Sequence, residues 1–172
     1  MNLQSDDFVL FDLPRRFAQD PVLVESRWKQ LMREVHPDRF AAQGVAAQRL
    51  AMQWTVRINE AYRRLRSPLA RAAYLCELEG SPVRAEDNTA MPPAFLMQQM
   101  EWREQLEDAG SPQEIDALQS EVAHARDEAL QACGRLLDDA RDAEGAARQV
   151  RALMFIERFA QDVDERRATF AA

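Results

Sequence analysis

The apolar residues Val24, Trp28, Leu31, Met32 and Val35 recur at steps of three and four, the spacing of one helical face. Asp20-Pro21 supplies an N-cap followed by proline at the first helical position, and Arg27, Lys29 and Arg33 are expected on the opposite, polar face. The helix must stop near Val35, ahead of Pro37. Upstream, DDFVLFDL is a brief helical turn with Phe8 and Phe11 inward, ended by Pro14. Residues 36–45, with Pro37 and Gly44, read as a loop. A second stripe, Leu50, Trp54, Ile58, Ala61 and Leu65, predicts a long helix over 46–66. Two such stripes joined by a short loop form an antiparallel helical hairpin. Ser67-Pro68 restarts a helix whose expected buried side is Leu69, Ala72, Ala73, Cys76 and Leu78.

Periodicity then lapses. Residues 80–92 hold Gly80, prolines, Asn88 and Thr89, and read as a linker between domains 1–79 and 93–172. Beyond it, helical patterns cover 93–108, 112 to about 138, and 142 to about 170, broken at Gly110-Ser111-Pro112 and Asp138-Asp139. Short connections make these an antiparallel three-helix bundle. The expected fold is all-α: a helical hairpin followed by a C-terminal bundle.

Composition agrees with that class, being rich in Ala, Leu, Glu, Arg and Gln with only five glycines. Charge adds a division of its own. Residues 1–78 carry twelve Lys/Arg against nine Asp/Glu, net about +3, while the remainder carries ten against twenty, net about −10. The two parts therefore offer electrostatically different surfaces to partners. Overall acidity argues against general nucleic-acid binding. Cys76 and Cys133 lie within helical patterns as small apolar residues, and form neither a disulfide scaffold nor a zinc framework. His124 reads as an ordinary surface or partly buried histidine rather than a metal ligand, and no metal site and no cofactor are expected. MNLQSDDF does not open a secretory signal, and no apolar run is long enough to span a bilayer, so the expected location is cytoplasmic.

His36-Pro37-Asp38 lies between the hairpin's helices. Alone, the tripeptide reads as a helix break, a cap and a surface histidine. The second helix, however, ends in INEAYRRLRSPLARAAYL, with Ile58, Asn59, Ala61, Tyr62 and Leu65 in register. Residues 5–75 thereby resemble a J domain, which implies a co-chaperone that activates a DnaK-type ATPase chaperone through its His-Pro-Asp loop. Proline fixes the backbone, so little entropy remains to be lost on binding. Asp38 can accept bidentate hydrogen bonds from an arginine, which the resemblance places on the chaperone. His36 orients the loop or contacts the partner. Arg27, Lys29, Arg33 and the adjacent Arg39 would steer an acidic chaperone surface.

No Gly/Phe-rich stretch and no Cys-x-x-Cys-x-Gly-x-Gly repeat is present, as a general folding J protein would have. Instead FVLFDLPRRFAQD, SPLARAAYLCELEG and AFLMQQMEWREQLED resemble the HscB family, co-chaperones of iron–sulfur cluster assembly, over nearly the full length. That resemblance implies an HscA-like chaperone and an IscU-like cluster scaffold as partners, with no cluster held by this chain. By motif the scaffold contacts fall on Leu96, Met97, Met100, Glu101, Glu104, Asp108 and Phe155. Asp108 stands where glutamate can occur and Met100 where leucine is frequent. From spacing alone, Leu96, Met97 and Met100 equally suit a bundle core with solvent-facing glutamates. The absence of an N-terminal cysteine-rich domain points to the bacterial form. A J protein with a different client remains the alternative. An enzyme using His36 and Asp38 on a metal is disfavoured, because His124 is the only other histidine.

Overall fold

A computed structural model describes residues 2–170; Met1, Ala171 and Ala172, the ends of the expected domains, lie outside the described residues. All regular structure among them is helical: α1 (Asp7–Leu10), α2 (Pro21–Glu34), α3 (Val45–Arg66), α4 (Pro68–Leu78), α5 (Pro93–Asp108), α6 (Pro112–Gly134) and α7 (Ala143–Thr169). The chain divides into two compact units between Leu75 and Cys76, within α4, so residues 80–92 fall in the second unit.

In the first unit, α2 and α3 form the hairpin, and α1 packs on α3. The Asp20 carboxylate caps α2 by accepting from the Val22 amide. Val24, Leu31 and Val35 are buried against Ile58, Ala61 and Leu65, each of the last three fully so. The expected stripe on α3 is corrected at one position. Leu50 is 49% exposed and Ala51 is buried in its place. At 100° per residue, Ala51 lies about 20° from Ile58 around the helix, whereas Leu50 lies about 80° away. The face of α4 also differs: Ala72, Leu75 and Cys76 are buried, while Leu69, Ala73 and Leu78 are half-exposed.

Trp28 joins the hairpin's helices through polar and aromatic contacts. Its indole Nε1 donates to Asn59 Oδ1 at 2.9 Å, and its ring stacks on Tyr62 at 4.6 Å. The buried carboxylate of Asp7 anchors α1. Arg64 donates to it at 2.9 Å, and Arg57 makes an ion contact at 2.7 Å without hydrogen-bond alignment.

The second unit is built on α6 and α7, with α5 against them. Ser111 and Glu114 form a reciprocal capping box that starts α6. Ile115, Leu118 and Val122 on α6 meet Val150, Leu153, Ile156, Phe159 and Val163 on α7 to make the core. The end of α6 runs into a π-helical turn, Arg135–Asp139. Residues 80–92, read from sequence as a linker, carry Val83 buried and are held by Arg151. The guanidinium of this buried residue on α7 donates to the Val83 carbonyl at 2.8 Å and also to that of Ala90.

Candidate functional site

Residues 37–43, expected as loop, form a 3-10 helix. Proline at its first position and Asp38 in its first turn favour that start. His36 is the cap: its Nδ1 accepts from the Asp38 amide at 3.3 Å. The Asp38 side chain is 91% exposed, with its nearest oxygen 3.7 Å from His36 Nδ1. The carboxylate is thus held on a short, fixed turn and left open to solvent. Arg39 secures the turn from the other side. Its amide donates to the His36 carbonyl at 3.0 Å, and its Nη1 donates to the Arg33 carbonyl at the end of α2 at 3.1 Å.

The three cations expected on one face of α2 separate. Lys29 and Arg33 are one helical turn apart and exposed, with Lys29 paired to Glu25 at 2.6 Å. Arg27 lies about 160° around the helix from Lys29 and does not join them. It is half-buried and donates to Asp12 at 2.7 Å.

On α5 the structure settles the orientation that spacing left open. Leu96, Met97 and Met100 are exposed, at 48%, 69% and 74%, so they are not bundle core. Glu101, Glu104 and Asp108 are exposed on the turns that follow, giving an apolar strip continued by an acidic one. Covering one such methionine completely is worth roughly 1.5–3 kcal/mol. The side of α5 that meets the bundle is instead Phe95 and Trp102, the latter fully buried. Trp102 lies about 140° around the helix from Met97, which is why burying it turns the methionines outward.

Phe155 meets α5 from α7 on the side of Phe95. Its ring packs edge-on to Phe95 at 5.7 Å and stacks on Phe159 at 5.9 Å, with the Arg103 guanidinium 5.7 Å away. Phe159 in turn stacks on Trp102 at 5.6 Å. This aromatic cluster fixes α5 against α7 and leaves Phe155 half-buried, with Phe95 and Arg103 as its neighbours on α5. The motif reading missed Phe95, Trp102 and Phe159; the i, i+7 spacing of Phe95 and Trp102, opposite the methionines, was their signal.

Other chemistry-bearing residues stay apart from these sites. Both cysteines are buried, and burial pushes the Cys76 thiol up to about 11 and the Cys133 thiol up to about 12. His124 is exposed on α6 beside Glu128, at 3.3 Å. Among the described residues, no group of three or more His, Cys, Asp or Glu side chains is placed to hold a metal ion, and no helix is long and apolar enough to cross a membrane.

Comparison with known proteins bears on both units. Residues 91–164 match the family model described as the HSCB C-terminal oligomerisation domain. Proteins named co-chaperone protein HscB homolog are similar over 166 residues, covering 95% of this chain and 94% of theirs. The one from Burkholderia multivorans is 52% identical and the one from Burkholderia pseudomallei 51%. Among solved structures, chaperone HscB from Vibrio cholerae superposes with a TM-score of 0.78 at 34% identity, over 94% of this chain and 96% of that one. The human co-chaperone protein HscB superposes with a TM-score of 0.87 at 26% identity, over 95% and 83%.

Proposed function

The chain belongs to the HscB co-chaperone family, and from that premise we propose that it loads an iron–sulfur cluster scaffold onto a DnaK-type chaperone and stimulates that chaperone's ATP hydrolysis. The division proposed is by domain: 1–79 as J domain, 80–92 as connection, 93–172 as scaffold-binding bundle. The partners are an HscA-like ATPase and an IscU-like scaffold, and the work is done in the cytoplasm. The protein supplies no catalytic residue of its own. ATP is hydrolysed in the chaperone, and this chain shifts that enzyme between conformations by binding one of them better.

The observation that carries the reading is the exposure of Asp38 on a turn capped by His36 and tied to α2 by Arg39. The backbone that carries this carboxylate has little freedom left to lose when an arginine engages both its oxygens. Arg33 and Lys29, exposed on the preceding helix, favour approach to an acidic chaperone surface. Arg27, spent on Asp12, contributes to that surface less than the other two.

On the second unit, Leu96, Met97, Met100 and Phe155 form the apolar part of the scaffold contact, and Glu101, Glu104 and Asp108 its charged rim. The test is a split of activities. Titration calorimetry with scaffold should show binding weakened about tenfold or more by Met100→Ala with Phe155→Ala. Chaperone stimulation without scaffold should stay at the wild-type level. Equal loss of both activities would contradict the division of labour.

A further inference from the structure

We propose that the outward face of α3 pairs with the same face of a second copy of this chain, antiparallel, with Arg49 of each copy against Glu60 of the other. The face of α3 that turns away from the hairpin core is apolar where solvent exposure favours polar residues. Val45, Met52 and Val56 are 66%, 61% and 58% exposed. Met52 and Val56, with Gln53, Arg57 and Glu60, line a shallow hollow of about 390 Å³. Exposed apolar side chains rimmed by charge in this way mark a contact site. The face belongs wholly to the first unit and lies outside residues 91–164.

What the face fits is set by its charges. At 100° per residue, Val45, Arg49, Met52, Val56, Glu60 and Arg63 fall within about 80° of one another around the helix. Arg49, Glu60 and Arg63 are exposed, and none of the three has an ion pair among the described residues. The cations at the edges of the face are engaged. Arg57 donates to the Leu3 and Ser5 carbonyls, Arg64 is paired with Asp7, and Arg66 lies over the Tyr62 ring at 5.5 Å. The complement of this face is a helical strip with acid opposite Arg49, a cation opposite Glu60 and no cation opposite Arg63.

The face meets that description itself when it is turned end for end. Its residues are spaced almost symmetrically about the level of Trp54, Met52 with Val56, Arg49 with Glu60 and Val45 with Arg63. From that level Arg49 is about 8 Å toward the N-terminus and Glu60 about 9 Å toward the C-terminus. A two-fold axis there lays Met52 of each copy on Val56 of the other and sets Arg49 against Glu60 twice. Arg63 falls over Val45 of the other copy, so its methylenes cover the valine while its guanidinium reaches water. It meets no like charge, because residues 40–48, FAAQGVAAQ, carry none. Parallel pairing would oppose Arg49 to Arg49, Glu60 to Glu60 and Arg63 to Arg63, and like charges in contact disfavour it. The same patch serves both copies, so the contact is isologous and closes at the dimer. One helix on one helix is a small contact, so pairing is reversible and follows concentration.

Sedimentation velocity of the full chain over a concentration series at low salt tests the contact directly, with far-UV circular dichroism to confirm folding of each variant. Wild-type protein should show a weight-average sedimentation coefficient that rises with concentration and falls back when salt is added. Arg49→Glu alone and Glu60→Arg alone each oppose like charges twice in their own pair, and should weaken association about tenfold or more. An equimolar mixture of the two should associate again, because one copy then offers acid at both positions and the other a cation at both. Met52→Gln with Val56→Thr should weaken association at least as much without changing charge. Three results would overturn the proposal: wild-type protein that stays monomeric throughout, α3 variants that associate as wild type does and so place the association elsewhere in the chain, or a mixture no more associated than its components.

Discussion

The indole Nε1 of Trp102 donates to the Glu121 carboxylate at 2.8 Å, joining α5 to α6 at a point where the ring itself is fully buried. Gln98 donates to the same carboxylate oxygen at 3.1 Å. Two side chains of α5 are thus fixed by one acceptor, and their placement decides that Met97 and Met100 face outward. Replacing Glu121 with alanine strands a buried N–H, at a cost of about 1–3 kcal/mol. Thermal denaturation should show that loss, and scaffold binding should weaken more than chaperone stimulation does.

Asp38 and Arg39 should separate as contact and support. Asp38→Asn keeps the turn's size and removes the charge, and should abolish stimulation of the chaperone. Arg39→Ala removes the bond to the Arg33 carbonyl while leaving the Asp38 carboxylate in place. A partial loss of stimulation is expected, with a larger rise in the concentration needed for half-maximal effect than fall in the maximum. Steady-state ATPase titrations distinguish the two patterns.

Asp7 holds α1 to α3 through Arg57 and Arg64 while fully buried. Asp7→Ala should destabilise the first unit by about 3 kcal/mol, the low end for breaking a buried pair, because both arginines still reach solvent. Urea denaturation followed by tryptophan fluorescence measures it through Trp28.

The thiols of Cys76 and Cys133 are pushed up to about 11 and about 12, so both are neutral throughout the physiological range. Alkylation at pH 8 should be slow in the native protein and fast in denaturant. Fast native labelling of either cysteine would contradict their burial.

At Asp6, burial raises the carboxyl pKa, but the Val9 amide and Arg15 outweigh it and hold the group below its ordinary value. A depressed carboxylate stabilises the folded state above its unfolded pKa. That contribution is lost as the pH falls below 4 through the folded value. Asp6→Asn should therefore flatten the acid limb of the stability curve and leave the neutral limb parallel to wild type.

The helices were legible in the sequence because caps, prolines and apolar spacing agree at most boundaries: Asp20-Pro21, Ser67-Pro68 and Ser111-Pro112 all start helices where expected. Faces were harder to read. Leu50 and Ala51 differ by one position, and alanine's small side chain gives a weak signal although it is the buried one. Periodicity also could not say whether Met97 and Met100 lie inside or outside, since the answer depends on Trp102 finding its partner 19 residues away. Long-range polar contacts left no local trace at all. Arg151 reaches back to Val83 and Ala90, drawing an apparent linker onto the second unit, and nothing near Arg151 in sequence foretells it. The His-Pro-Asp turn was recognisable as a motif, but its 3-10 geometry and the cap from His36 come from the folded chain alone.

The most direct measurement is the steady-state rate of ATP hydrolysis by the HscA-like chaperone with this protein, with and without purified scaffold, compared between wild type and Asp38→Asn. The account predicts stimulation by the wild-type protein, a further rise beyond the separate effects when scaffold is added, and loss of both with Asp38→Asn. Undiminished stimulation by Asp38→Asn, or no added effect of the scaffold on wild type, would contradict it.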